Sequence, residues 1–271
     1  MLTFRSEARE TLGGETARVH HAARNAYAWE VLLRSAIKHI LRNFGYEVHK
    51  VPVPCEGIAD ADLYRPLFSP WLARDFLRKI EMVLEKSLVS PERCYVLYEL
   101  GRHALGVPGD FWECGVYRGG TALMLADMLR EHASTKKLHL FDTFTGLPET
   151  DAAQDLHKKG DFADVTLAEV IDYVGAPDTA VFHPGFIPET FTGLKAGPIA
   201  FAHIDVDIYR SVLDCLNFIY PRLSPGAVIV FDDYGFPSCP GARKAVDTFF
   251  AAKSEVPLCL GTGQAIVCRH H

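Results

Sequence analysis

The stretch that most constrains this chain runs from residue 199 to residue 233. It opens Ile199-Ala200-Phe201-Ala202-His203-Ile204-Asp205-Val206-Asp207 and, after a helix-length segment, closes Val228-Ile229-Val230-Phe231-Asp232-Asp233. Two short, mostly apolar runs each end in carboxylates. Such runs, separated by one helix, read as neighbouring parallel strands covered on both faces. Ligands of open α/β sheets gather beyond the carboxyl ends of the strands. Asp205, Asp207, Asp232 and Asp233 are therefore expected to converge on one crevice. Four carboxylates that close do not all stay ionised without a cation. An oxygen-only set suits a hard divalent ion, Mg²⁺ first, with Mn²⁺ or Ca²⁺ as alternatives. Strand alternation would put Asp205 and Asp207 on one side, about 7 Å apart. Asp207 also precedes a helix, where an aspartate serves as a cap.

The rest of the chain supplies the sheet around this stretch. Strands are expected over 111–116, 138–142, 180–183, 199–206 and 227–231, with a final hairpin of 257–260 and 265–269 turning at Gly261-Thr262-Gly263. Helices are expected over 119–132, 166–174, 209–220 and 241–253. The implied fold is α/β, a doubly wound seven-stranded sheet with a last antiparallel pair. A charged loop over 143–164 is long for a compact domain, and such loops are usually functional. Its His157-Lys158-Lys159 run reads first as a solvated face and second as an acceptor contact. His203 reads as a satisfied strand histidine. Tyr234 and Arg243 lie near the crevice by sequence.

The first 105 residues have a different texture. Trp29, Leu32, Leu33, Ala36, Ile37, Ile40, Leu41 and Phe44 recur at helical spacing, and Gly45 follows as a stop. A proline-bearing extended segment spans 46–68. Ser69-Pro70 and Ser90-Pro91 each announce a further helix, the first to about Lys86 and the second to about Gly106. The division is therefore an N-terminal helical cap over 1–105, serving as lid or oligomerisation region, and a catalytic domain over 106–271. A homo-oligomer is the expected state.

Charge and composition narrow the partners. A formal net charge of −6 argues against nucleic acid, whose binders carry a basic stripe. No run approaches the roughly 18 apolar residues of a membrane span, and the first residues lack a signal-peptide core. The seven cysteines are an odd number without a C-x-x-C pair, as expected of reduced thiols. The expected location is cytoplasmic, with no membrane partner.

Between the first strand and its helix lies Glu113-Cys114-Gly115-Val116-Tyr117-Arg118-Gly119-Gly120-Thr121. Glycines there let the backbone turn tightly and approach a ligand. Asp142, ending the second strand, is placed to accept from ribose hydroxyls of an adenosine ligand. Glu113 at the head of the turn would repel a pyrophosphate but tolerate an ammonium and a sulfonium. That difference favours S-adenosylmethionine over a nicotinamide dinucleotide.

This turn, Phe141-Asp142-Thr143-Phe144 with Gly146-Leu147-Pro148-Glu149, His203-Ile204-Asp205-Val206-Asp207 with Tyr209 and Ser211, and Phe231-Asp232-Asp233-Tyr234-Gly235 with Gly241-Ala242-Arg243 together resemble the macrocin O-methyltransferase family. The resemblance covers roughly residues 88–269. It implies a class I methyltransferase (Rossmann-like) fold, S-adenosylmethionine as donor, Mg²⁺, and a sugar hydroxyl of a glycosylated natural product, such as an antibiotic, as acceptor. It implies Asp205, Asp232 and Asp233 as metal ligands and Asp207 as general base. Glu113, Gly115, Tyr117, Arg118, Gly119, Thr121, Asp142 and Asp205 would line the cofactor, with Asp161 and Phe162 near its adenine. The alternatives are a phenolic or catechol acceptor, a glycosyltransferase holding a nucleotide diphosphate through Asp205-Val206-Asp207, and a non-catalytic binding homologue.

Overall fold

The computed structural model describes residues 69–270 and, before them, Ala36, Ile37, His39, Ile40, Leu41 and Asn43, all helical. The remainder of the helix expected over 25–44, the extended segment 46–68 and residues 1–24 lie outside the described residues. The chain divides into two compact units, Met1–Leu67 and Phe68–His271.

Within the second unit, α1 (Arg74–Lys86) and α2 (Pro91–Ala104) precede β1 (Asp110–Cys114). There follow α3 (Gly120–Glu131), β2 (Leu138–Asp142), α4 (Leu167–Val174), β3 (Ala180–Pro184), β4 (Ile199–Ile204), α5 (Tyr209–Ile219), β5 (Leu223–Phe231), α6 (Pro240–Phe250), β6 (Leu258–Cys259) and β7 (Ala265–Cys268). The seven strands form one sheet in the order β3-β2-β1-β4-β5-β7-β6. β7 runs antiparallel to both β5 and β6, and the other pairs are parallel. The doubly wound sheet with its closing hairpin is as the periodicity predicts.

Every residue of β4 is buried, as a central parallel strand requires. Two cores cover the sheet faces. One gathers Phe76, Ile80, Val83, Cys94 and Leu97 of α1 and α2 with Leu125, Met128 and Leu129 of α3 and Phe111 and Phe201 of the sheet. The other joins Val212, Leu216 and Ile219 of α5 and Ala242, Ala245 and Val246 of α6 to Trp112, Ile204 and Ile229. Because α1 and α2 share the first core, the compact unit holding the sheet begins at Phe68, ahead of the 105/106 division read from the sequence.

Three element ends differ from the sequence reading. Pro70–Leu72 is a separate 3₁₀ turn, and Ala73 is extended before α1 begins. β5 starts at Leu223, ahead of Pro225-Gly226, because Leu223 already pairs with Ile199 of β4. β4 stops at Ile204 and the chain then turns, with Asp207 in the left-handed region at φ +60°. Asp205 and Asp207 are therefore not successive same-face residues of one strand. Nor does Asp207 cap the next helix. The cap position of α5 is Ile208, which offers no side-chain acceptor. Asp155, in the long loop, supplies one instead: its Oδ1 accepts from Tyr209 N–H at 2.8 Å.

Candidate active site

The carboxyl ends of β1, β2, β4 and β5 open into one cavity of about 1020 Å³, counting its mouth. Gly115, Tyr117, Thr121, Asp142, Phe162, Asp205, Asp207, Asp232 and Asp233 all line it. The junction of α1 and α2 forms a further wall through Lys86, Leu88 and Arg93.

Backbone bonds just past the strand ends fix this floor. Asp205 N–H donates to Cys114 O (2.8 Å), Gly115 N–H to Phe141 O (2.9 Å) and Asp232 N–H to Ile204 O (3.0 Å). Gly115 has φ +86°, and a Cβ there would lie 1.7 Å from Asp205 O. The turn must pass that close to β4, so only glycine fits. Gly115→Ala is expected to cost at least about 2 kcal/mol, from left-handed strain and a backbone clash. Urea unfolding checks this, and an unchanged midpoint would refute it.

Asp142 ties the glycine turn to β2. Its Oδ2 accepts from Val116 N–H (2.7 Å) and Tyr117 N–H (2.9 Å), and its Oδ1 from Phe144 N–H (2.7 Å). A carboxylate offers about four lone-pair directions, so roughly one remains for a ligand. Tyr117 and Phe162, both on the cavity wall, meet edge to face, ring centroids 5.6 Å apart. Such a pair offers a wall for a planar ring.

Four expected cofactor residues stand off the cavity wall. Glu113 is wholly buried in the sheet, where its Oε1 meets His203 Nδ1 at 2.9 Å. The β1–β4 register sets those two residues side by side. Arg118 pairs with Asp164 of the long loop. Gly119 packs against α4, and a Cβ there would come within 2.9 Å of Val170. Asp161 turns to His157 and to Lys158 N–H.

The acidic end is electrostatically lopsided. Asp232 is held by Arg93, by Gln264 Nε2 (2.8 Å) and by His203, whose Nε2 lies 3.6 Å from Asp232 Oδ1. Burial would raise the Asp232 carboxyl, but His203, Arg93 and Gln264 outweigh it and the group sits below its usual range. Burial alone would lower the His203 imidazole, yet Asp232 and Glu113 lift it well above its ordinary value. In the other three acids burial and the neighbouring carboxylates outweigh the groups that face them. Burial, then Asp232 and Asp233, pushes Asp205 well up. Burial and Asp233 push Asp207 up to about 8. Burial and Asp232 push Asp233 up to about 6.

These neighbours test whether a divalent ion fits. Of the five carboxylates here (Glu113 with the four aspartates), Arg93 and His203 pair with Glu113 and Asp232, and His157 lies 3.7 Å from Asp207. Two buried polar atoms, Glu113 Oε2 and His203 Nε2, lack a hydrogen-bond partner. Ligand atoms of His203, Asp205 and Asp232 come within 4.8 Å of one another. The donor set and the uncompensated charge both fit a hard divalent cation.

A family model for macrocin-O-methyltransferases (TylF) matches residues 97–258. The chain belongs to the macrocin-O-methyltransferase family. Among curated members of similar sequence, a tetracenomycin rhamnosyl 4'-O-methyltransferase of Streptomyces olivaceus is 36% identical over 149 residues, 51% of this chain and 57% of that protein. Mycinamicin III 3''-O-methyltransferase of Micromonospora griseorubida is 32% identical, over 53% of this chain and 61% of that one. The chain thus spans about three-fifths of the curated relatives it matches. The solved O-methyltransferase NovP superposes with a TM-score of 0.63 at 26% identity, covering 69% of this chain and 83% of that chain. The calicheamicin methyltransferase CalS11 shares the fold at a TM-score of 0.58 and 19% identity, covering 81% of this chain and 99% of that one. Arg93 lies just ahead of the segment that the family model matches. Its role, like those of Gln264 and Asp155, had no signal in the local sequence. Ser90 stands at the N-cap position of α2, but its hydroxyl makes no cap bond and accepts from Arg93 Nε instead (3.3 Å).

Proposed function

We propose that this protein is an S-adenosylmethionine- and Mg²⁺-dependent O-methyltransferase acting on a sugar hydroxyl of a glycosylated small molecule. The observation that carries the proposal is the meeting of Asp205, Asp207, Asp232 and Asp233 in the cavity that also holds Gly115 and Asp142. When bound, the cofactor supplies an electrophilic methyl group and the cation acidifies the acceptor hydroxyl.

The chain's own residues do the rest. Asp142 accepts from a ribose hydroxyl through its remaining lone-pair direction, while the Tyr117–Phe162 pair forms one wall beside the adenine. Asp205, Asp233 and the side of Asp232 not taken by Arg93 hold the cation. Asp207 takes the acceptor proton at its carboxylate. Its backbone N–H donates to Asp233 Oδ2 (2.9 Å), which ties the base to the cation ligands and fixes its distance from them. Orientation of the hydroxyl toward the methyl carbon contributes much of the rate. The α1–α2 junction, with Leu88 and Arg93 on the wall, acts as a lid that excludes water. The N-terminal helical region, in this reading, also makes a homo-oligomer in the cytoplasm. A monomer mass by light scattering would remove that part.

Calorimetric titration with S-adenosylmethionine tests the proposal. Wild type is expected to bind, and Asp142→Ala and Asp142→Asn to bind about 10- to 100-fold more weakly, the loss of a charge-assisted hydrogen bond. Mg²⁺ is expected to tighten binding of a sugar-bearing acceptor. Folded wild type that fails to bind S-adenosylmethionine would sink the reading, and nucleotide sugars would be titrated next.

A further inference from the structure

The long loop does more than cap α5. It sets His157 against Asp207, with imidazole Nε2 3.7 Å from Asp207 Oδ1. Cys239, on the turn leading into α6, reaches the same oxygen from another direction, its Sγ 3.5 Å away. All three ligand atoms lie within 4.8 Å of one another. Three segments far apart in sequence thus aim one nitrogen, one oxygen and one sulfur at a common point. Cys239 is buried, and His157 and Asp207 are each mostly covered, with 21% and 16% of their side chains exposed.

We propose that His157, Asp207 and Cys239 form a binding site for a borderline-soft divalent transition ion, zinc first, distinct in donor chemistry from the all-oxygen set beside it. A tetrahedral zinc with bonds of about 2.0–2.3 Å has ligand edges of about 3.4 Å for nitrogen–oxygen and about 3.6 Å for sulfur–oxygen. The observed 3.7 Å and 3.5 Å need little closure. A thiolate and an imidazole select zinc or cobalt over magnesium.

The second layer is also in place. His157 Nδ1 lies 3.1 Å from Asp161 Oδ2. The Nδ1 proton then points to Asp161 and the Nε2 lone pair to Asp207 and Cys239. A carboxylate behind a ligand histidine is the common support of metal sites. Phe162 flanks the same ring at 5.4 Å between centroids. The fourth position belongs to water from the cavity. In the metal-free protein the Cys239 thiol donates to Asp207 Oδ1. On binding, the sulfur–hydrogen bond is exchanged for a sulfur–metal bond and the proton leaves to solvent.

The ion site stands on this geometry alone. Its consequence rests on the proposed function: an ion there occupies Asp207, the base, so zinc inhibits methyl transfer while magnesium supports it.

Cobalt(II), added to the full chain in excess Mg²⁺, reads the site without cofactor or acceptor. One equivalent is expected to raise a thiolate-to-cobalt charge-transfer absorption. Cys239→Ser should abolish it, and His157→Asn should weaken cobalt binding at least about tenfold. Absence of the band in wild type, or its survival in Cys239→Ser, overturns the site. Should Cys239→Ser not fold, unchanged cobalt affinity in His157→Asn overturns it equally. Zinc inhibition relieved in Cys239→Ser, against that variant's own zinc-free rate, supports the consequence. A cobalt band without zinc inhibition supports the site and overturns the consequence.

Discussion

Asp207→Asn is expected to lower the rate of methyl transfer by about 10²- to 10⁴-fold, the usual contribution of a positioned base. S-adenosylmethionine affinity should stay within about twofold. Asparagine is the informative replacement because Asp207 sits at φ +60°, where asparagine is tolerated and alanine is strained. The backbone N–H that donates to Asp233 Oδ2 is kept, so the loop and the neighbouring acids stay in place. The pH profile gives an independent reading. Burial and Asp233 hold the Asp207 carboxyl at about 8 without a cation. A base must be ionised, so the wild-type rate should climb as pH rises toward that value and level off above it. Added cation favours the charged form, so saturating Mg²⁺ should move the rise to lower pH. Asp207→Asn should flatten it. A variant with near wild-type turnover would show that another group takes the proton.

Arg93→Met is expected to be the most destabilising single change at the site, by about 3–5 kcal/mol. Arg93 pairs with Asp232 deep in the fold, their side chains only 11% and 1% exposed. Its other nitrogens are placed as well, Nη2 donating to Leu88 O at 2.7 Å and Nε to Ser90 Oγ at 3.3 Å. The guanidinium also lies 4.7 Å from the centre of the Phe236 ring. Methionine keeps much of the volume and removes the charge, which leaves Asp232 buried beside other carboxylates with only His203 and Gln264. The midpoint of thermal unfolding should fall on the order of 10 °C. Arg93→Met with Asp232→Asn should recover much of that loss, since the stranded charge goes with its partner. Mg²⁺ should raise the midpoint of Arg93→Met more than that of wild type, because the ion replaces missing positive charge. A single variant as stable as wild type would mean that Asp232 does not depend on Arg93.

How far the sequence reached depended on whether a feature was local. The buried run of β4 and the apolar end of β5 announced themselves as central strands by composition, and each carried its own acids to the edge of the sheet. Asp205, Asp207, Asp232 and Asp233 could be brought together from the parallel order alone. The glycine turn was legible for a similar reason, since Gly115 answers to a backbone constraint at its own position. Gly119 and Glu113 belong to the same string of letters, yet one packs on α4 and the other pairs with His203. Neither the contact between helices nor the register between strands is written in the run itself.

By itself, then, the sequence determined the doubly wound sheet, the crevice at its carboxyl edge and the carboxylates that meet there. The physical reason is that hydrophobic period and turn chemistry are short-range properties, and a single helical crossover sets the two strands it joins parallel. Tertiary structure alone decided which charges neutralise one another. Arg93 reaches Asp232 across 139 positions, Gln264 reaches it across 32, and Asp155 caps a helix 54 positions away. The same is true of His157 and Cys239 closing on Asp207. Such pairs depend on how helices cross a twisted sheet and where a long loop lands. Those outcomes are set by packing the whole chain.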